Sequence, residues 1–434
     1  MRRLSISGGV IALLSTGFAS IDVASATTLR VPEDFPTIQA AVDAAGPIDV
    51  VDVAPGTWSD AETRSVWNGG MYVNVRSVVF LKPGITVRSR SGAEATVIDL
   101  SLNPGPGFQT PVVYPGQQAG PATIQGFTVL GAGSGGGGIS SLAAQKLIVR
   151  DCIVRDIHTG GRAITTANGG GLEIYDTLVE NVTLLGGTAV RAISGGSLKM
   201  IRTTIRDNSA GGVYSTVPTI LEDCNFVRNR TTQVGAGANL QGPSEVTRCL
   251  FQENVSLEDP GGGLVVSSSP AVVEGCTFAR DSCGATGAAA GMWVAYAPGL
   301  SVIRNNTFVG CHSPVFPASA FGVSSSVVEF SNNIVAGSTG SAALHNVGGT
   351  ITGGCNDYWN NEEGDFEAWT PLPTDLSADP LFCDPEAHDF RLHSNSPCAP
   401  DQNPTCGQVG AWSVACGSVS IEPLSWGRIK GAYR

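Results

Sequence analysis

Between Asp151 and Asn360 one six-residue phrase recurs nine times: a small residue or Cys, any residue, an aliphatic or Phe, two of any kind, then an Asn-like residue. The clearest copies are Cys224-Asn-Phe-Val-Arg-Asn229, Cys249-Leu-Phe-Gln-Glu-Asn254 and Cys276-Thr-Phe-Ala-Arg-Asp281. Others begin at Asp151, Asp176, Thr203, Asn306, Asn332 and Cys355, Gln125-Gly-Phe127 reads as a tenth, and the nine starts lie 21 to 30 residues apart. A period of that length marks a solenoid, in which no repeat can bury its apolar side alone and each stacks on the next. The phrase is too short for a helix, so a rung of about 25 residues holds three short strands and their turns, stacked in parallel about 4.8 Å apart. The expected fold is an all-β solenoid of roughly 11–13 rungs.

Alternation along a strand sends positions one and three of the phrase inside. Ile153, Leu178, Ile205, Phe226, Phe251, Phe278, Phe308 and Ile334 are therefore expected in one internal stack, with Cys224, Cys249 and Cys276 beside it. Asn181, Asn208, Asn229, Asn254 and Asn360, with Asp156 and Asp281, fall where each strand turns. Asparagine tolerates a left-handed backbone and bonds neighbouring turns through its amide, so this repetition reads as a structural ladder.

Composition agrees with many short strands. Charged residues are 14% of the chain, and 56 of 434 residues are glycine, about twice the usual share. Runs at Gly135–Gly138, Gly169–Gly171 and Gly261–Gly263 mark corners. Gly131-Ala-Gly-Ser-Gly-Gly136 fits a dinucleotide fingerprint only formally, because glycine and no helix follows it.

Residues 1–26 read as an export signal: basic Arg2-Arg3, an apolar stretch from Ile6 to Ala19, and small residues Ala24-Ser-Ala26 before the cleavage point. The expected product starts at Thr27, carries its solenoid domain over 27–417 and a tail over 418–434, and is secreted, periplasmic or displayed at the cell surface. No other apolar run reaches the roughly 18 residues of a membrane span. Net charge is −12, and loss of Arg2, Arg3 and Asp22 with the signal makes it −13. Nucleic acid and anionic membranes are thus disfavoured partners. Lysines are few (Lys82, Lys146, Lys199, Lys430), so an acidic glycan would need a local arginine cluster or a bridging cation.

Arg30-Val-Pro-Glu-Asp-Phe-Pro-Thr-Ile-Gln-Ala-Ala-Val-Asp-Ala-Ala45 reads as a loop and a short helix with Pro36 in its first turn. Ile38, Ala41, Val42 and Ala45 share the face that would cap the stack. Val31–Val42, with Asp52-Val-Ala-Pro-Gly-Thr-Trp58, resembles the amino-terminal signature of right-handed parallel β-helix proteins of the pectin-lyase-like superfamily. The resemblance continues through Gly84–Arg88, Ile124–Val129, Ala378–Cys383, Asp389–Leu392, Ser396–Cys398 and Val409–Trp412. It implies a right-handed coil. It leaves chemistry open, since the superfamily holds lyases, hydrolases, epimerases and non-catalytic surface proteins.

The superfamily's motifs are mostly missing. There is no Asp-Asp pair, no Gly-His-Gly, no Arg-x-Pro-x-x-Arg and no Asp-Pro-His, and Arg428-Ile-Lys430 lies in the tail with nothing to assist it. The best constellation is His158 and Arg162, then Glu173 and Asp176 a rung on, then Arg191. In a lyase such a set would remove the proton α to a uronate carboxylate while arginine or calcium holds the charge. The plainer reading is a solvated turn with an ion pair. His312, His345, His388 and His393 are scattered without metal-ligand spacing.

Eleven cysteines in an exported chain point to disulfides. Cys224, Cys249 and Cys276 are expected to stay thiols, because 4.8 Å rungs separate them beyond disulfide reach. Cys283 with Cys311 is the expected pair on the body. Cys398 with Cys406 and Cys383 with Cys416 are the simplest pairing near the end, one of the three that four cysteines allow. The functional expectation is a monomeric, non-catalytic, cofactor-free display protein for a polysaccharide or a cell-envelope component. The alternative is a polysaccharide lyase acting on an acidic glycan, with Ca²⁺ as its possible cofactor. An enzyme should gather outward charges in a groove near Glu173, and a display module should disperse them.

Overall fold

The computed structural model describes residues 25–418 except 117–118, 132–135, 159, 184–186, 259, 285–288 and 315–317. The expected signal and tail therefore fall almost wholly outside the described residues, as does Gly135. The rest forms three long parallel sheets wound as one solenoid, with 13 strands in the first and 12 in each of the other two, and three small three-stranded sheets beside them. One rung shows the plan: Leu172–Tyr175 in the first sheet, Leu178–Val182 in the second, Val190–Ala192 in the third. Among the described residues no helix is long and apolar enough to cross a membrane.

The internal stack exists, in a corrected register. Val154, Val179, Ile205, Phe226, Phe251, Phe278, Phe308 and Val335 are aligned across successive strands and fully buried. Ile153 and Leu178 face outward and stay partly exposed, while Ile334 is buried outside the coil against Leu392 and Val409. The phrases at Asp151, Asp176, Asn332 and Cys355 begin one residue too early: these four are left-handed corner residues, with φ of 49°, 48°, 55° and 60°. Cys152, Thr177, Asn333 and Asn356 take position one instead. A slip of one residue sends each side chain to the opposite face.

The turn asparagines divide in the same way. Asn208, Asn229, Asn254 and Asp281 are buried and bonded rung to rung. Asp156, Asn181 and Asn360 stand one position earlier, in left-handed backbone.

The amino-terminal cap is helix α1, Ile38–Ala44, where Thr37 is the N-cap and its hydroxyl accepts from Ala40 N at 3.1 Å. Pro36 precedes that cap and lies outside the first turn. Ile38, Ala41, Val42 and Ala45 are buried against the first rungs. At the far end Trp369 packs edge-on against Phe321 and Phe330.

The closing segment then folds back along the outside of the second sheet. Trp412 Nε1 donates to Thr277 Oγ1 at 2.7 Å and Ala411 N to Thr307 Oγ1 at 2.9 Å. Gly410 lies on Ile334 with φ +86°, where a Cβ would sit 2.5 Å from Ile334 Cδ1, so only glycine fits. Disulfides join Cys355 to Cys406 and Cys383 to Cys416.

Two expected cysteine pairs are thereby corrected. Cys406 is bonded to corner residue Cys355, and Cys398 is a buried thiol against Asp357 Oδ2 at 3.3 Å. Cys283 and Cys311 are buried thiols: Ser282 pairs with His312, so Cys283 faces Ser313 and Cys311 faces Asp281, two residues out of step. Cys224, Cys249 and Cys276 are free and buried, joined in their row by Cys152.

Candidate functional site

Outward side chains on each sheet form rows across the rungs, so function is built by rows and not by local motifs. On the third sheet the aligned outward row runs Ser140, Thr165, Arg191, Tyr214, Asn239, Val265, Trp293. A hairpin, Glu62–Trp67 with Tyr72–Ser77, roofs the start of this face by packing Val66 and Val75 on Phe80 and Val113. Val265 and Trp293, with Ala289 and Ala318, make an apolar mound at the other side. Between roof and mound, Thr165, Arg191 and Tyr214 are half-exposed.

Arg162 enters this stretch from the corner before Ile164–Thr166. Burial pushes its guanidinium pKa down, and the positive charge of Arg191 pushes it further the same way. Among the described residues neither arginine has an acidic partner within 4.0 Å, and Arg162 Nε is buried with no hydrogen-bond partner. Asn239, only 8% exposed, leaves its Oδ1 unpartnered on the same row. Two adjacent cations thus lack a counter-ion among the described residues, and a buried donor and a buried acceptor on the same stretch are unpartnered.

A second concave surface lies on the first sheet. Its groove of about 500 Å³ is lined by Glu173, Lys199, Ile220, Glu245 and Val272, with Pro218, Pro243 and Pro270 as one wall. Lys146 Nζ donates to Glu173 Oε1 at 2.5 Å and Tyr175 Oη to Glu173 Oε2 at 3.0 Å, while the Arg150 guanidinium lies 4.0 Å from the Tyr175 ring centre. Burial pulls the Glu173 carboxyl up, but the bonds from Lys146 and Tyr175 and the charges of Lys146 and Lys199 outweigh it and hold it below the usual range. Lys146 is raised by its bond to Glu173, and Tyr175 is raised by burial and then by Glu173. Every resolved shift in this cluster leads away from neutrality.

Residues 188–362 match the family model described as "Right handed beta helix region". The described residues form a parallel β-solenoid, and the rungs within 188–362 are the part that matches this right-handed β-helix model. Solved structures similar to this β-helix include the A-modules of the mannuronan C-5 epimerases AlgE4 and AlgE6 from Azotobacter vinelandii. AlgE4 shares 12% identity at TM-score 0.45, covering 79% of this chain and 95% of that one. AlgE6 shares 15% at 0.47, covering 79% and 94%. A pectate lyase, Pel9A, shares 13% at 0.42, covering 87% and 90%. No curated relative matches by sequence.

The five expected site residues do not converge. Arg162 and Arg191 are brought together on the third sheet, whereas Glu173 faces out from the first. Asp176 turns the corner after Glu173 and is held by Arg202 at 2.6 and 2.7 Å, which keeps its carboxyl below the usual range. His158 lies beyond the second sheet and meets Thr183 Oγ1 at 3.1 Å. No motif in the sequence points to Lys146, Arg150, Tyr175, Lys199, Tyr214 or Asn239 as site residues. The signal that finds them is residue alignment from rung to rung, which requires the corrected register. His393 lies within 4.8 Å of the Cys383 and Cys416 sulfurs, but the disulfide leaves no thiolate there to hold a metal.

Proposed function

We propose that this β-helix binds an acidic polysaccharide along the outer face of its third sheet, without cleaving it, with Arg162 and Arg191 receiving the anionic groups. The observation that carries this reading is the arginine pair, half-buried and without an acidic partner among the described residues of a chain of net charge −12. Tyr214 supplies an aromatic surface and Asn239 an acceptor farther along the row, which suits a ligand several rungs long. Three rung steps from Thr165 to Asn239 span about 14 Å.

The lyase alternative draws on the convergence of charges around Glu173. Against it, a proton-abstracting group should titrate near the working pH, and Glu173, Lys146 and Tyr175 are each moved away from it. The binding reading requires no cofactor, and calcium would serve only the alternative.

The test is titration of the purified protein with uronate, sulfated and neutral oligosaccharides, with and without calcium, scoring binding, unsaturated product and reducing ends separately. A guanidinium bond to an anion contributes about 1.5–3 kcal/mol. Arg162→Gln and Arg191→Gln are therefore each expected to weaken an acidic glycan about tenfold or more and to leave neutral glycans unaffected. Acidic glycans that bind equally well to the double variant overturn the site. Release of unsaturated product or reducing ends by the parent protein overturns the non-catalytic role.

A further inference from the structure

Where the second sheet ends, four successive rungs place Asp207, Arg228, Glu253 and Arg280 at one left-handed corner position, with φ between 53° and 55°. Two residues farther along, Arg230 begins a short strand that pairs with Val255–Ser256. Between these rows lies a pocket of about 580 Å³ to which Ser209 also contributes, a volume within the range of small-ligand sites. It is separate from the third-sheet row and from the first-sheet groove.

The charges in this pocket are unequally committed. Arg228 is spent on Asp207, with two bonds of 2.7 and 2.9 Å. Arg230 has no acidic partner within 4.0 Å among the described residues. Among the described residues the polar partners of the Arg280 side chain come from the closing segment, Glu386 at 3.5 Å and His388 Nε2 at 3.2 Å, and the Glu386 side chain is 92% exposed. Glu253 lines the pocket without an ion pair to either neighbouring arginine. The pocket wall thus carries three guanidiniums and two carboxylates, and Glu386 reaches in as a third, so the charges balance in number while Arg230 is left without an acidic partner among the described residues. An uncommitted guanidinium beside one held only by an exposed carboxylate attracts anions, and planar guanidiniums suit carboxylate, sulfate and phosphate oxygens.

We propose that this corner pocket is a second binding site, for a sugar-sized ligand carrying a carboxylate, sulfate or phosphate group held between Arg230 and Arg280. Glu253 and Glu386 then act as competitors of the ligand, which gives the site a signature that a merely basic surface lacks. Removing Arg230 weakens binding, and neutralising either glutamate strengthens it.

The test uses the full chain carrying Arg162→Gln and Arg191→Gln, so that its result is independent of the third-sheet reading. The probes are a uronate trisaccharide, a sulfated trisaccharide and a glycerol-phosphate trimer, each against a neutral trisaccharide, by calorimetry at two salt concentrations. At least one anionic probe is expected to bind. Its affinity should fall about tenfold or more with Arg230→Gln and rise severalfold with Glu253→Gln and with Glu386→Gln. The probe that responds identifies the source of the anion. Absence of binding by all three, no response to Arg230→Gln in a variant with unchanged circular dichroism, or weaker binding in Glu253→Gln each overturns the proposal.

Discussion

Asn208, Asn229, Asn254 and Asp281 stand one residue after Asp207, Arg228, Glu253 and Arg280, and the two rows climb the same corner of the same four rungs. The inner row is at most 1% exposed. Its amides bond from rung to rung at 2.9, 3.0 and 2.9 Å, ending on Asp281 Oδ1. The outer row is charged and open to water; its one tight pair, Arg228 with Asp207, has side chains 48% and 44% exposed. Rotation by one residue exchanges an environment in which every polar atom must be matched for one in which water matches them. Identical spacing therefore carries large energies on the inside and small ones on the outside.

The inner row is the place to break this contrast most strongly. Asn254 Oδ1 accepts from both Asn229 N and Asn229 Nδ2, and Asn254 Nδ2 donates to Phe226 O at 2.9 Å. Asn254→Leu fits the volume roughly but strands these groups and the Asp281 carboxyl in the core. At about 1–3 kcal/mol for each stranded group, the expected loss is roughly 3–5 kcal/mol in chemical denaturation. A loss below about 1 kcal/mol would show that water reaches the corner.

Asp281 is the one irregular member. Burial raises its carboxyl pKa well above the ordinary value, against the bonds from Asn254, and Oδ2 has no partner. Asn229 Nδ2 donates to Ile205 O and Asn254 Nδ2 to Phe226 O, so by the same step an amide at 281 would meet Phe251 O. Asp281→Asn is expected to stabilise the protein by roughly 1–3 kcal/mol at pH 7. The sign with pH follows from the raised folded pKa. The proton is held more tightly in the folded state, so the aspartate's contribution is fullest below about pH 4 and is lost as pH climbs from there. The difference between variant and parent should accordingly be smallest near pH 4 and grow towards 7. A constant difference would assign the gain to packing and not to the proton.

These rows also show what the sequence could reveal. The period, the amino-terminal cap and the phenylalanine stack are legible in the sequence, the stack because burial repeats one residue type: Phe226, Phe251, Phe278 and Phe308 lie ring on ring at 4.7, 4.9 and 4.6 Å. Register failed at Asp151, Asp176, Asn332 and Cys355, where a residue suited to left-handed backbone precedes the true position one and resembles it. Cys355 reads as an inward residue for the same reason, which hides its disulfide with Cys406. The expected site residues divide between faces for a geometric reason. Glu173 and Arg191 are 18 residues apart, but the chain turns two corners between them and ends on a different face. Spacing shows which residues share a row, and the corners decide which rows meet.

The smallest effect belongs to the outer row. Arg228 bonds Asp207 twice, and that bond, with burial opposing, raises the arginine's pKa. Read from geometry alone this pair is as well made as anything in the inner ladder. Its side chains are nearly half exposed, however, so water competes for both partners, salt screens them, and ordering two long chains costs entropy. Arg228→Ala is expected to change stability by no more than about 0.5 kcal/mol, and the difference should shrink further between low and high salt. The left-handed backbone at this corner is kept because alanine replaces arginine without adding bulk, so no separate conformational penalty hides the result. A loss of 2 kcal/mol or more would mean that the outer charges brace the corner. The contrast between the rows would then be one of exposure without a difference in energy.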